Sequence, residues 1–523
     1  MKNKSIMKKQ FLLLVLMILP LAVSAEIIEC VVIDNIRYNL NTESNTAEVR
    51  EHSIYYSGHI TIPETVTYKD VVYNVTSIRW RAFHACYGLS SVSIPNSVTT
   101  IGDEAFSGCS GLTSINIPSS VTTIGDHAFD VCRSLTKVIV PDIAAWCGIK
   151  FGDNGNPLVY AYHLYSDENT EIKDLVIPNS VTQISSSAFK GCSGLTSVTF
   201  GDNVNLIGNN AFQNCSGLTS ITFGDNVMAI LSYAFYGCSG LTSLTINNNI
   251  GPYAFADCTG LTSVTFGDNV KSIGNSAFSG CSGLSSVILP EGFSSIGNSA
   301  FDGCRLENVL TKNTKVNFSD AFSDRTYQHA MLYIPEGTWG EAVYEYSWYQ
   351  FNHIREAAMT SEALSSAVTY TLMDAKTFGY ATYDAVSDEV RMAKAFYSID
   401  EQDVNNSWQV KTRGGRKYIY SIGAKKYASI TSDGHISLSA TPVDVAMTET
   451  GNGIMIGTDN SRQWAFIKNG SYHDATGIDA QPAAQGEQPG SCYTLDGQHL
   501  AQPKQGLNII KMSNGKTKKV MVR

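Results

Sequence analysis

The stretch Ile94-Pro-Asn-Ser-Val-Thr-Thr-Ile-Gly-Asp-Glu-Ala-Phe-Ser-Gly-Cys-Ser-Gly-Leu-Thr-Ser-Ile115 decides the fold, because close copies of it recur along the chain. Each copy carries an Ala-Phe pair, and the phenylalanines of these pairs are Phe83, Phe106, Phe129, Phe189, Phe212, Phe235, Phe255, Phe278, Phe301 and Phe322. Most of them recur at a period of about 23 residues, and a fixed period in this range is typical of solenoids. The shorter step from Phe235 to Phe255 indicates a trimmed loop, and the long step from Phe129 to Phe189 contains an insert.

The apolar spacing within one unit predicts a short strand followed by an apolar return. Leu112, Ile115 and Ile117 follow a Leu-x-x-Leu-x-Leu pattern, and the last two share a strand face because side chains alternate along a strand. Pro118 ends the strand, since it has no N–H to donate. A unit this short cannot bury its apolar face alone, so neighbouring units must stack. We therefore predict a leucine-rich-repeat solenoid with a parallel sheet, of about ten repeats.

These repeats resemble the BspA-like leucine-rich repeats, whose pattern includes I-P-x-S-V-T-x-I-G-x-x-A-F-x-x-C-x-x-L-x-x-V. Residues 94–115 match that pattern almost throughout, and the resemblance covers roughly residues 26–356. It implies a secreted or surface protein of host-associated bacteria or microbial eukaryotes. Some relatives act as adhesins for extracellular-matrix proteins or other cells. The family has no shared catalytic residues, so none are carried over and no enzyme is expected.

The start and end of the chain carry signals for export. Four lysines precede the apolar run 11–23, and Val23-Ser24-Ala25 offers small residues for cleavage, as in a signal peptide. After cleavage no later stretch is long enough to span a membrane. The segment from Tyr493 to Arg523 is similar to C-terminal sorting modules of the type IX secretion route. We therefore expect a secreted protein displayed at the bacterial cell surface, on the exterior of the outer membrane.

Changes in pattern divide the chain into segments. We predict a signal peptide at 1–25, an N-terminal β cap at 26–81, repeats at 82–325 with a hairpin insert at 141–171 that bulges from one edge, a solenoid C-terminal cap at 326–356, an all-β domain at 367–475, a linker at 476–491 and a small sorting-like β module at 492–523. The strand Ala330–Pro335 is expected to be the last of the solenoid.

The charge balance limits the partners. The formal net charge is −10, and residues 82–304 contain six basic and sixteen acidic residues. An acidic solenoid does not attract nucleic-acid phosphates or anionic lipid, so no nucleic-acid partner is expected. The sequence contains no H-E-x-x-H, Walker, G-x-G-x-x-G or G-x-S-x-G motif. No cofactor is expected either.

Nine cysteines share one position of the repeat: Cys86, Cys109, Cys132, Cys192, Cys215, Cys238, Cys258, Cys281 and Cys304. They could form disulfides in an oxidising compartment or bind metal. Stacked equivalent positions have parallel Cβ vectors, which suit a disulfide poorly, and no histidine recurs beside them. We interpret them as a structural ladder of buried thiols that act as small hydrophobes. The recurring Phe-Gly-Asp-Asn turn could hold calcium, but its Asp and Asn side chains more simply satisfy a tight turn.

Residues that alternate with the apolar strand positions should face outward as a neutral hydroxyl surface. The candidate binding residues on this face are Ser114, Asn116, Ser197, Thr199, Ser220, Thr222, Ser243, Thr245, Ser263 and Thr265. They could bind an extracellular protein or glycan, or they could simply suit a solvated strand. Since aromatic and Arg anchors are scarce there, tight binding is expected at the insert or the aromatic end region, or it depends on many weak contacts. The alternative function is carbohydrate binding by a lectin-like module at 367–475; a hydrolase there is a third hypothesis.

Overall fold

The computed structural model describes residues 27–51, 55–344 and 346–358, and a set of shorter segments beyond residue 368. Those segments are 369–374, 379–384, 387–394, 405–413, 416–430, 436–442, 447–450, 453–456, 464–474, 489–494, 499–500, 506–512 and 517–522. The predicted signal peptide and most of the predicted linker therefore lie outside the described residues. The chain divides into two compact units, Met1–Leu195 and Thr196–Arg523, which are described in turn.

The first unit begins with strands that precede the repeats. They are β1 (Ile27–Ile33), β2 (Ile36–Asn41), β3 (Thr46–Val49), β4 (Gly58–Thr61), β5 (Thr65–Tyr68) and β6 (Val71–Ile78). The strands β1, β2 and β3 pair antiparallel in sequence order, and β6 pairs parallel with β3 and antiparallel with β5. This sheet continues into the repeats, because β6 also pairs parallel with the first short strand of the solenoid.

Each coil of the solenoid contributes a longer and a shorter strand. The longer ones in this unit are β7 (Leu89–Ser93), β9 (Ser114–Asn116), β11 (Lys137–Ile139), β13 (Leu164–Tyr165) and β14 (Asp174–Val176); the shorter ones are β8 (Thr100–Ile101), β10 (Thr123–Ile124), β12 (Lys150–Phe151) and β15 (Gln183–Ile184). The parallel registers pair Ile115 with Val138 and Ile101 with Ile124, each pair being one repeat apart in the sequence. Equivalent residues of successive repeats therefore lie directly above one another.

The insert at 141–171 is a coil of the solenoid, so the prediction of a protruding hairpin is wrong. It contains helices α1 (Ile143–Cys147) and α2 (Leu158–Ala161), and its strands β12 and β13 pair parallel with β10 and β11. Only its end turns back, through an antiparallel bridge between Tyr165 and Glu171. The Trp146 side chain is buried and its indole N–H donates to the Ala188 carbonyl at 2.8 Å. The insert therefore replaces the usual apolar return with helices, which hides the repeat pattern.

The second unit continues the same construction. Its repeat strands are β16 (Ser197–Thr199), β17 (Leu206–Ile207), β18 (Ser220–Thr222), β19 (Ala229–Ile230), β20 (Ser243–Ile246), β21 (Asn249–Ile250), β22 (Ser263–Phe266), β23 (Ser272–Ile273), β24 (Ser286–Leu289), β25 (Ser295–Ile296) and β26 (Asn308–Thr311). Then follow α3 (Asp324–His329), β27 (Met331–Pro335), α4 (Trp339–Tyr344), a 3-10 helix (Ser347–Gln350) and β28 (His353–Ala358). Because β27 and β28 pair parallel, the last parallel strand is β28 and not the predicted segment 330–335. In the described residues the solenoid has about 12 turns, more than the ten Ala-Phe pairs mark.

The all-β region after residue 368 extends the final solenoid sheet instead of forming a separate domain. Its strands are β29 (Thr369–Asp374), β30 (Gly379–Asp384), β31 (Glu389–Lys394), β32 (Trp408–Arg413), β33 (Arg416–Ser421), β34 (Lys426–Ile430), β35 (Ile436–Ser439), β36 (Met447–Thr450), β37 (Gly453–Ile456) and β38 (Trp464–Asp474). The strand β38 pairs antiparallel with β28 on one side and β29 on the other. Leu310 and Tyr333 of the solenoid share one buried cluster with Met373 and Ile467. The last parallel strand of the solenoid, β28, is thus covered by its antiparallel pairing with β38, in addition to the aromatic side chains of the cap.

The end of the chain is a small antiparallel sheet. It consists of β39 (Pro489–Thr494), β40 (His499–Leu500), β41 (Gly506–Met512) and β42 (Thr517–Val522), in the order β40-β39-β41-β42. A β module was predicted at 492–523. The linker prediction extended too far, because its last residues, 489–491, belong to β39.

A column of phenylalanine rings fills each unit. In the first unit, Phe83, Phe106 and Phe129 stack with ring centroids 5.0 and 5.1 Å apart. In the second unit, consecutive rings from Phe212 to Phe322 stack at 5.2 to 5.6 Å. These spacings are close to the ~4.8 Å between neighbouring strands, so the rings follow the strand ladder. All of these rings are buried, which places the Ala-Phe pair at the centre of the core.

The residue before each ladder cysteine adopts a left-handed backbone conformation, and Val131 is strained there. Gly108, Gly191, Gly237, Gly280 and Gly303 have positive φ at this position, and Val131 has a φ of 58°. A β-branched residue in this region is an outlier that costs about 1–2 kcal/mol. We expect Val131→Gly to raise the free energy of unfolding by up to about 1 kcal/mol, since this relief exceeds the ~0.5–1 kcal/mol backbone entropy of glycine.

The measurement is the midpoint of chemical unfolding of the full chain. The matched control is Val176→Gly, because Val176 is exposed like Val131 but lies in the extended strand β14. That control should lower stability, since glycine weakens a strand. Equal destabilisation by the two changes would show that Val131 carries no strain.

Candidate functional site

The ten predicted binding residues lie on the outer face of the longer strands. All ten are exposed or half-buried, and they alternate with core residues such as Ile115, Val198 and Leu244. The parallel registers place Thr199 beside Thr222 and Thr245 beside Thr265. Hydroxyl groups therefore form rows at the ~4.8 Å strand spacing. This part of the face is neutral and can offer many weak hydrogen bonds.

The nine ladder cysteines lie inside the core, and all nine are buried. Six of the thiols are seen to donate to phenylalanine carbonyls of a preceding coil: Cys109 to Phe83 at 3.0 Å, Cys132 to Phe106, Cys238 to Phe212, Cys281 to Phe255 and Cys304 to Phe278 each at 3.2 Å, and Cys258 to Phe235 at 3.3 Å. The thiol thus adds a link between coils that a small hydrophobe could not make.

Burial makes these thiols poor nucleophiles. It raises the pKa of Cys132 and Cys238 to about 12, because desolvation disfavours the thiolate. The nine ladder cysteines are free thiols in the described structure, and Cys147 in the insert is another buried free thiol. A thiol that stays protonated near neutral pH is a weak nucleophile. The burial and hydrogen bonds of these thiols favour the interpretation of the ladder as structural.

The Phe-Gly-Asp-Asn loops close as hydrogen-bonded turns. The N–H of Val204 donates to the Gly201 carbonyl at 3.1 Å, and the N–H of Val270 donates to the Gly267 carbonyl at 3.2 Å. Within the part of the chain that the structure describes, no three His, Cys, Asp or Glu side chains converge as metal ligands would. The turn interpretation of this motif accounts for its recurrence.

The aromatic residues expected to anchor a ligand are mostly core residues. Trp348 and Phe351 of the C-terminal cap are fully buried, and the Trp348 indole N–H donates to the Thr314 carbonyl at 3.0 Å. Tyr349 lines a shallow cavity of about 540 Å³ at this end. The sequence alone could not separate these cases, because an aromatic cap and an aromatic binding surface have the same composition.

A second cavity lies in the second unit beside the strand face, and sequence reasoning did not assign it a function. It has a volume of about 860 Å³ and is lined by the loops that follow β16, β18, β20 and β22. Thr222 and Thr245 stand at its border with the strand face. We call it the asparagine cleft, after Asn203, Asn205, Asn226, Asn247, Asn248, Asn249 and Asn269 in its walls. Its one sequence signal is the shortened step from Phe235 to Phe255.

None of the four α-helices in the described residues exceeds six residues, so none could span a bilayer. The strand face and the asparagine cleft are carried by strands and loops. The described geometry offers broad and shallow surfaces for recognition.

The repeats match a known family. The model of the BspA type leucine rich repeat region matches residues 76–147, 163–250 and 248–362, in 6 copies that span more than half of the chain. No curated protein is found to match the chain.

Several solved structures are similar to this chain. A leucine-rich repeat protein from Bacteroides ovatus has 29% identity, covering 63% of this chain and 80% of that one, with a TM-score of 0.43. A leucine rich cell surface protein from Faecalibacterium prausnitzii has 23% identity, covering 64% of this chain and 96% of that one, with a TM-score of 0.34. The pneumococcal vaccine antigen PcpA has 18% identity, covering 61% and 96%, with a TM-score of 0.33.

Proposed function

Because the chain belongs to the BspA type leucine-rich repeat family, we propose that it is a secreted, non-catalytic protein of the bacterial cell surface that mediates adhesion. Its partner is an extracellular protein of the host matrix or of another cell. The observation that carries the proposal is the in-register outer strand face, on which neutral side chains repeat at the strand spacing. A surface of this kind binds through the sum of many contacts and does not need an enclosed pocket.

The location rests on the two export signals of the sequence. The signal peptide at 1–25 directs the chain out of the cytoplasm, and the C-terminal sorting-like module at 492–523 directs it across the outer membrane. Protease treatment of intact cells, followed by mass spectrometry, tests this. Release of peptides from residues 82–356 supports surface display, and protection of the whole chain in intact cells contradicts it.

Binding through the strand face predicts a loss that depends on position. We expect the full chain to bind immobilised extracellular-matrix proteins saturably, and the double variant Asn116→Lys/Thr199→Lys to bind at least tenfold more weakly. Both positions are exposed on the longer strands, so lysine places charge and bulk in the contact surface. Surface plasmon resonance with a panel of matrix proteins measures the effect.

The matched control is Asn96→Lys/Ser119→Lys, which adds the same charge at exposed loop positions outside the strand face. It should bind like the wild type. Saturable binding that both double variants weaken equally would show a charge effect, and binding that neither weakens would remove the strand face from the proposal.

A further inference from the structure

The asparagine cleft exists because one coil lacks three loop residues. Ile246 pairs with Phe266 at the start of the loop, and Ile250 pairs with Ile273 at its end. Three residues lie between Ile246 and Ile250 in the trimmed coil, whereas six lie between Phe266 and Ile273 in the next coil. The loops 224–229 and 267–272 keep their full length, so they rise on both sides of the short loop. The short loop therefore forms the floor of the cleft, and its position is fixed by the register at both of its ends.

The cleft has the size of a ligand site. Its volume of about 860 Å³ falls within the ~300–1,000 Å³ range of small-molecule sites. Its walls come from paired strands and hydrogen-bonded turns, so little conformational entropy is lost when a ligand enters.

The asparagine side chains of the cleft are held in place by the backbone of neighbouring loops. The Asn247 side-chain oxygen accepts from the Asn269 N–H at 3.2 Å, and the Asn249 oxygen accepts from the N–H groups of Lys271 and Ser272 at 2.9 and 3.1 Å. Conversely, the Asn226 amide donates to the Asp202 carbonyl at 2.8 Å. Asn247 and Asn249 thus keep their NH₂ groups for a ligand, and Asn226 keeps its oxygen. The cleft presents fixed donors and acceptors together.

The charge of the cleft selects the ligand class. Asp225 is the one charged side chain among the residues that line it, and no Lys, Arg or His lines it. A phosphate or carboxylate ligand would find no cation to pair with. Met228, which is 75% exposed, and Phe223 supply apolar surface against which the C–H face of a ring can pack. Amides, hydroxyls and a little apolar surface match a neutral, hydroxyl-rich molecule.

We propose that the asparagine cleft binds a neutral oligosaccharide. Its hydroxyls donate to and accept from the cleft asparagines, and one sugar ring packs on Met228. An extended peptide fits these walls less well, because peptide grooves use apolar pockets, exposed sheet edges or Arg clusters. This glycan site goes beyond the adhesion proposed above and does not depend on it.

The test uses the full chain on an array of neutral, sialylated and sulfated glycans, followed by calorimetry with the best neutral glycan. The decisive variant replaces residues 247–249 with a copy of residues 267–272, Gly-Asp-Asn-Val-Lys-Ser, which restores the full loop and fills the cleft. We expect neutral glycans to bind wild type and the Kd to rise at least tenfold in this variant. Circular dichroism and the unfolding midpoint establish that the variant is folded.

A second variant tests the cleft independently, in case the loop exchange prevents folding. Thr245→Tyr should also weaken glycan binding at least tenfold, because the larger side chain enters the cleft from a strand where tyrosine is well tolerated. The control Asn116→Tyr, on the strand face of the first unit, should leave glycan binding unchanged.

Three outcomes overturn the proposal: wild type binds no neutral glycan, it binds only charged glycans or peptides, or the two cleft variants bind as wild type does. Matrix-protein binding by the loop-exchange variant is measured in parallel, because residues 247–249 lie outside the ten positions of the strand face. Loss of glycan binding with intact matrix binding in this variant supports the cleft alone, so the two proposals fail separately.

Discussion

Replacing Phe235 with alanine is expected to lower the free energy of unfolding of the protein by about 3–5 kcal/mol. The Phe235 ring is fully buried and stacks between Phe212 and Phe255, with centroids 5.2 Å away on each side. The rings of Phe200 and Phe223 approach its edge at 6.4 and 6.0 Å. The change removes contacts with three coils at once and leaves a cavity that rigid, in-register neighbours cannot fill.

Chemical unfolding followed by circular dichroism measures this loss. The matched control is Phe223→Ala, which removes the same side chain from a half-buried position outside the column, edge-on to Phe235, and should lower the free energy of unfolding by less. Phe235→Leu should recover part of the loss, because it refills most of the volume. If Phe235→Ala lowers the free energy of unfolding by no more than Phe223→Ala does, the central position of the phenylalanine column is contradicted.

The second large effect is a loss of stability in alkaline solution. Burial raises the pKa of Cys132, Cys192 and Cys238 to about 12, whereas the same thiols ionise near their ordinary pKa of 9 in the unfolded chain. Between those values the unfolded state binds fewer protons than the native state, so the free energy of unfolding falls as pH rises. Each such thiol contributes a slope of about 1.4 kcal/mol per pH unit. We expect that ionisation of these thiols does not change the free energy of unfolding below pH 9 and lowers it steeply above pH 9.

Unfolding midpoints at several pH values between the two pKa values test this slope. The triple variant Cys132→Ala/Cys192→Ala/Cys238→Ala should be less stable near neutral pH, where it lacks thiol hydrogen bonds and volume. Its stability should nevertheless fall less steeply above pH 9, because three ionisable groups are gone. Parallel curves for the variant and the wild type would show that these thiols do not drive alkaline unfolding.

The solenoid could be predicted because its period repeats chemistry that only stacking satisfies. The Ala-Phe spacing and the Leu-x-x-Leu-x-Leu pattern placed Phe106, Leu112 and Ile115 in the core, where they lie. The insert was misjudged because its coil uses helices and Trp146 where other coils use the repeat residues. Likewise, the pairing of β28 with β38 joins segments that are far apart in the sequence, so no local sequence pattern predicts it.

The candidate site was predicted less completely than the fold. Alternation along the strands gave the outward positions, since a strand with one buried face must expose the other. The asparagine cleft was not assigned, although the shortened step between Phe235 and Phe255 marks it. Its function follows from which loops rise beside the gap and how the amides of Asn226, Asn247 and Asn249 are held. Those are properties of register and three-dimensional contact, which a period alone does not contain.

The most direct test of in-register stacking is thiol alkylation of the native full chain, read peptide by peptide by mass spectrometry. The nine ladder cysteines should resist iodoacetamide in native buffer and react fully in guanidinium chloride, because each one is buried. Cys30, which is half-buried in the N-terminal strands, should react in native buffer and serves as the internal control. Ladder cysteines that react as fast as Cys30 in native buffer would contradict the stacked core of each unit and the outer strand face that depends on it.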